Sequence, residues 1–138
     1  MAFTNAVKAM VLDALYGKKP LTMPDTIYIG LSTTPPNPDG TNFTEPSGNG
    51  YARVAVPNDT TWWYDATVAN PSVKANALPI LFNEATGPWG QVTHWGVFDA
   101  ETGGNLLDWA PLTTPVTIDA GQQPQFREGD LQTRLQNG

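Results

Sequence analysis

Beyond Pro20 the apolar pattern changes period and never again runs long enough for a helix. Short apolar runs alternate with stretches punctuated by proline, glycine, asparagine and aspartate. Such punctuation favours many short strands joined by turns, because proline cannot donate to a ladder and glycine weakens a strand interior. Thr26-Ile27-Tyr28-Ile29-Gly30-Leu31 reads as a strand covered on both faces, and Tyr51-Ala52-Arg53-Val54-Ala55-Val56 as the next. Trp62-Trp63-Tyr64 suggests a short strand followed by irregular chain to Lys74. Leu78 to Phe82 reads as a strand near an edge because of Pro79. Val92 to Phe98 and Asn105 to Ala110 form a hairpin pattern around Gly103-Gly104. Val116-Thr117-Ile118, Pro124 to Phe126 and Leu131 to Leu135 complete the set. The expected fold is mainly β, an antiparallel β-sandwich or jelly-roll-like domain over residues 1–138, with its β core at about 51–135.

The start of the chain follows another rule. Val7, Met10, Val11, Ala14 and Leu15 recur at helical spacing and share one face, which predicts one N-terminal α-helix over about residues 4–16. Thr4 or Asn5 is placed to cap it, and Gly17 to end it. A helix this short is marginal alone in water, so its apolar face needs a surface to pack on. Between the first two strands, about residues 33–50 carry Pro35, Pro36, Pro38, Asp39-Gly40, Pro46, Gly48 and Gly50. Loops this long without structure of their own are uncommon in compact domains. The segment is expected to be a long arm.

Composition limits what such a domain can bind. The formal charge is −6 and the seven basic residues are scattered except for Lys18-Lys19. Nucleic acid and anionic membrane are therefore unfavoured partners, since both are recognised through clustered cations. Charged residues are only 14% of the chain, whereas five are Trp and thirteen Pro. Low charge with large aromatics suits a surface covered by protein partners. The N-terminus shows no basic stretch followed by an apolar one, so no secretory signal is expected.

Candidate chemistry is thin. There is no cysteine, which excludes disulfides, thiolate nucleophiles and sulfur-ligated zinc. The single histidine, His94, sits mid-strand beside Thr93 and Trp95, with no further metal ligands at a defined spacing. The stretch Asp99-Ala100-Glu101-Thr102-Gly103-Gly104-Asn105 fails as an EF-hand loop, because Ala110 stands where the bidentate glutamate belongs. A hairpin turn is the better reading. Thirteen acidic residues ensure that some pair is close, so carboxylate pairing carries no weight. The chain is expected to be non-enzymatic, with no cofactor. Aromatic stacking on sugars keeps a carbohydrate-binding module open as a second class.

Several segments together resemble a family of small tailed-phage virion proteins, known as tail fibre proteins or head decoration proteins. They are Leu12-Asp13-Ala14-Leu15-Tyr16-Gly17, Ile27 to Pro35, Phe43 to Val54, and above all Ala85 to Ala100 with its Trp95-Gly96-Val97-Phe98-Asp99-Ala100 ending, continuing into Thr102 to Leu107. Residues 62–77 depart from that pattern. The resemblance implies a virion structural protein assembled in the bacterial cytoplasm, with no catalytic residues to carry over.

Within that family the absence of a repetitive shaft tract favours a capsid decoration or cement protein. Such a protein bridges capsomers, with itself and the major capsid protein as partners. The alternative is a tail fibre or tail-tip adaptor, including a receptor-binding module. The expected interface residues are Pro35, Pro36, Phe43 and Glu45 on the arm, and Trp62, Trp63 and Tyr64. Strand alternation puts Trp62 and Tyr64 on one face and Trp63 on the other, so at least one ring is expected to need outside cover. Arg53 is expected to pair with Glu45 and set how the arm leaves the domain.

Overall fold

A computed structural model describes residues 2–136. Its elements run β1 (Ala2–Phe3), α1 (Asn5–Leu15), β2 (Thr26–Ser32), β3 (Val54–Pro57), β4 (Ser72–Ala75), β5 (Ile80–Leu81), β6 (Gly90–Phe98), β7 (Leu106–Ile118), β8 (Gln125–Phe126) and β9 (Gln132–Leu135). The expected class holds: the chain is mainly antiparallel β structure with one helix near its N-terminus. A five-stranded sheet has the order β1-β7-β6-β2-β3, and two two-stranded ribbons, β4-β9 and β5-β8, accompany it.

Alternation along β2 explains how the layers meet. Ile27, Ile29 and Leu31 point to one face and join Val56, Trp95, Val97 and Ala110 from neighbouring strands. Ile80, Phe82 and Leu131 from the ribbon side complete the same buried cluster, with Phe126 packed against it. Burying a side chain of this size contributes roughly 1.5–3 kcal/mol, so this layer dominates stability.

The opposite face of the sheet is closed by residues 33–53. Here the β2–β6 register sets Gly30 opposite Gly96. A Cβ on Gly30 would lie 2.9 Å from Glu45 Oε1, and one on Gly96 would lie 2.5 Å from Phe43 Cε2. The two glycines thus open a shallow bed in which the loop lies. This changes the reading of the arm: the segment is irregular over its expected range, but it is folded down on the sheet. The Thr33 and Thr44 backbones bond at 2.9 Å, Ser32 Oγ accepts from Thr44 N at 2.9 Å, and Trp89 Nε1 donates to Asn49 O at 2.8 Å. Proline-rich chain has few backbone donors, and side chains here supply the missing partners.

Other differences have local causes. The sequence pattern separates Val116–Ile118 from Asn105–Ala110, whereas both lie in the thirteen-residue β7. Pro111 and Pro115 sit inside β7, and its ladder with β6 slips there: Val92 pairs with Val116 but His94 with Pro111. Trp62-Trp63-Tyr64 is a turn rather than a strand, touching the ladder through a single Trp63–Asn76 bridge. Strand β4 lies in the stretch expected to be irregular, and β3 begins at Val54 because Tyr51 and Arg53 are committed to the loop. Thr4 does not cap α1 with its hydroxyl, which donates to Leu106 O at 2.9 Å instead. Gly17 does end the helix region, with φ of 103°.

Candidate interaction surfaces

The strongest polar constellation holds the loop to the sheet. Arg53 meets Glu45 in the expected pair, and the geometry is bidentate: Nε donates to Oε1 and Nη2 to Oε2, both at 2.9 Å. Arg53 Nη1 also donates to the carbonyls of Ala100 and Gly103 at 2.8 Å, tying in the β6–β7 turn. Its guanidinium carbon lies 3.5 Å from the centre of the Phe98 ring. Planar stacking and a forked donor set are arginine properties that lysine lacks. Tyr51 Oη donates to Glu45 Oε1 at 2.7 Å and accepts from Leu31 N at 3.0 Å. Burial first, and the Glu45 hydrogen bond second, push its phenol far above the ordinary tyrosine range, so it stays a donor. This cluster is structural in geometry: its donors and acceptors are already spent on one another.

The expected interface residues are distributed unevenly. Pro36 is buried, Phe43 and Glu45 are half-buried against the sheet, and Pro35 is exposed. Phe43 meets Phe98 edge-on, with ring centroids 4.9 Å apart. Trp63 is in the core, and Trp62 is half-buried against it, so the chain itself covers the Trp63 indole and part of the Trp62 indole. Tyr64 is exposed and its hydroxyl donates to Glu128. The structure therefore brings Phe43 and Glu45 together and leaves Pro35 and Tyr64 apart from them.

Several uncovered apolar side chains lie on and just after α1, where the sequence foresaw a packed face. Among its described residues only Val7 is buried; Leu12, Leu15 and Tyr16 are 58%, 69% and 72% exposed. Beside them Val11, Leu21 and Met23 line a groove of about 360 Å³ whose inner side is Ile27 and Trp63. Isolated exposed apolar residues are ordinary, but a contiguous patch marks an interaction site. The sequence stripe of Val7, Met10, Val11, Ala14 and Leu15 accounts for the side turned to the sheet and groove, whereas exposed Leu12 and Tyr16 lie outside it.

At the groove's end sits Asp108, buried to 5% exposure. It accepts from Thr133 Oγ1 at 2.7 Å and from Trp109 N at 2.9 Å. Desolvation raises its pKa against those hydrogen bonds. His94 has Nδ1 2.7 Å from Thr93 Oγ1 and its ring 5.8 Å from Trp109, and burial lowers its pKa. Among the described residues no three histidine or acidic side chains converge as metal ligands would. No helix there is long and apolar enough to cross a membrane.

The family model described as Podophage GP4 fiber I protein gp80 matches residues 2–134. No curated protein matches the chain. The match spans both the helix and the whole sheet, including residues 62–77, which had followed no recognised pattern. It backs the tail-fibre alternative and lends nothing to the preferred expectation of head decoration.

Proposed function

This chain belongs to the Podophage GP4 fiber I protein gp80 family, and is thus a phage fibre-type virion protein; we propose that it serves in the tail fibre as a non-enzymatic component held by protein–protein contact. The observation that carries the reading beyond the family is the uncovered apolar face of α1 with its adjoining groove. Water contact with Leu12, Leu15 and Tyr16 costs free energy that a neighbouring chain of the fibre removes, at roughly 25 cal/mol per Å² of apolar area covered. Lys8, Asp13 and Lys19 rim this apolar face, an arrangement that suits contact between copies of this chain or with another virion protein. Assembly takes place in the bacterial cytoplasm, before the particle is released.

Particles carrying an antibody-gold label on this chain test the reading, with density expected on tail fibres. A second arm uses Leu12→Asp with Leu15→Asp. Both positions face solvent, so thermal stability of the isolated chain is expected to stay within error while incorporation into particles is lost. Label on the capsid shell, or full incorporation of the double variant, would reject the proposal.

A further inference from the structure

The slip in the β6–β7 ladder builds a second feature. Only Thr93 separates the pairs His94–Pro111 and Val92–Val116 on β6, whereas four residues, Leu112 to Pro115, separate them on β7. Leu112, Thr113 and Thr114 of this surplus wall a cleft of about 580 Å³ that Gln125 and Phe126 of β8 and Gln132 and Arg134 of β9 also line. That volume lies within the range of roughly 300–1,000 Å³ usual for small-molecule sites. The cleft is distinct from the apolar groove. Alternation along β9 divides them, sending Thr133 to the groove and Gln132 and Arg134 to the cleft.

Its lining mixes two chemistries. Thr113, Thr114, Asp130 and Arg134 contribute hydroxyls, a carboxylate and a guanidinium. Among the described residues, the Asp130 carboxylate and the two threonine hydroxyls have no partner, and Arg134 spends one N–H on Gln132 Oε1 at 2.9 Å. Between these polar groups lie Phe126 and Val116. The Phe126 ring is wedged against Phe82 and Trp95, at 6.3 and 6.5 Å between centroids, so it loses little freedom when a ligand covers it.

The combination discriminates among ligand classes. One carboxylate against one guanidinium leaves no excess charge to hold a phosphate or sulfate. A single acid is too few for a hard cation, which takes six or more oxygens. A purely apolar ligand would leave the polar groups unpaired. A pyranose satisfies both halves: each hydroxyl donates and accepts, while its C–H face packs on an aromatic ring.

We propose that this cleft binds a short neutral oligosaccharide, with Arg134 and Asp130 bonding ring hydroxyls and Phe126 as the stacking surface. The proposal goes beyond the fibre reading and does not depend on it. Binding is read on the isolated full-length chain, and fibre location on the particle, so either can fail alone.

The test is an array of neutral and anionic oligosaccharides of defined structure, probed with the full chain. The best neutral binder is then titrated by NMR. Retention of at least one neutral glycan is expected, with shifts confined to residues 112–116 and 126–134. Arg134→Ala and Asp130→Ala are each expected to weaken binding about tenfold or more, equivalent to roughly 1.4 kcal/mol. Thr114→Val serves as a milder variant in the wall should either of those fail to fold. Retention of anionic glycans alone, no retention at all, or affinity unchanged in folded variants would overturn the assignment.

Discussion

Gly30 of β2 and Gly96 of β6 lie opposite one another in the sheet, and together they leave the space that Phe43 and Glu45 of the loop occupy. The irregular segment thereby covers the sheet face opposite the ribbons. Sheet and loop are packed together there, because a side chain on either glycine would have to displace Glu45 or Phe43.

Gly96→Ala is expected to destabilise by about 1–3 kcal/mol, the usual cost of overpacking. Its Cβ would meet Leu106 Cδ1 at 2.7 Å as well as Phe43. Because Phe43 is the shiftable partner, Phe43→Leu in the same chain should return part of the loss. Strictly additive unfolding free energies for the two changes would contradict the shared-space account.

Arg53→Ala strips Glu45, a quarter exposed in the intact pair, of both charged hydrogen bonds. A loss of about 2–3 kcal/mol is expected, near the value for hydrogen bonds to charged groups. Arg53→Lys should recover little, since the fork and the stack on Phe98 are both absent. Limited proteolysis checks the local consequence: cleavage within residues 33–50 should accelerate. An unchanged digestion pattern would mean the pair does not hold the loop.

The buried Asp108 carboxyl has a pKa raised by desolvation relative to the ordinary value. The folded state therefore holds its proton at pH values where the unfolded chain has released it. Stability contributed at this site declines as pH rises from the unfolded value, about 3.9, through the folded one. Asp108→Asn should remove that decline, because an amide keeps an acceptor for Trp109 N and carries no charge to desolvate. Melting curves between acid and neutral pH give the comparison. A variant whose pH profile parallels the native one would locate the titration elsewhere.

Asn76, fully buried, joins three segments: its Oδ1 accepts from Leu131 N at 3.0 Å, and its Nδ2 donates to the carbonyls of Leu78 and Arg127 at 2.9 Å. Asn76→Ala leaves Leu131 N and Leu78 O without these partners, each costing about 1–3 kcal/mol when buried, while Arg127 O keeps its bond from Asp130 N. Expected is a loss of more than 3 kcal/mol or failure to fold, read by urea unfolding. Asn76→Asp should be nearly as harmful, for it cannot donate to either carbonyl.

The amino-acid pattern by itself determined the local choices. Alternation of Ile27, Ile29 and Leu31 defines a strand whichever strand it pairs with, and Gly103-Gly104 turns back the Val92–Phe98 run through short-range geometry alone. The Arg53–Glu45 pair was legible too, since the loop between them is short. Only the tertiary structure decided what depends on packing between distant segments. That the proline-rich loop lies flat rests on Gly30 and Gly96, sixty-six positions apart, and their meeting depends on strand register. Trp63 is covered by its place in the core cluster, and on α1 Val7 is buried and Met10 and Ala14 half-buried while Leu12 and Leu15 stay exposed. The cleft beside Arg134 depends on where the β6–β7 ladder slips, a consequence of pairing that neither strand encodes alone. Periodicity is a property of neighbours along the chain; burial and concavity are properties of surfaces that meet only after folding.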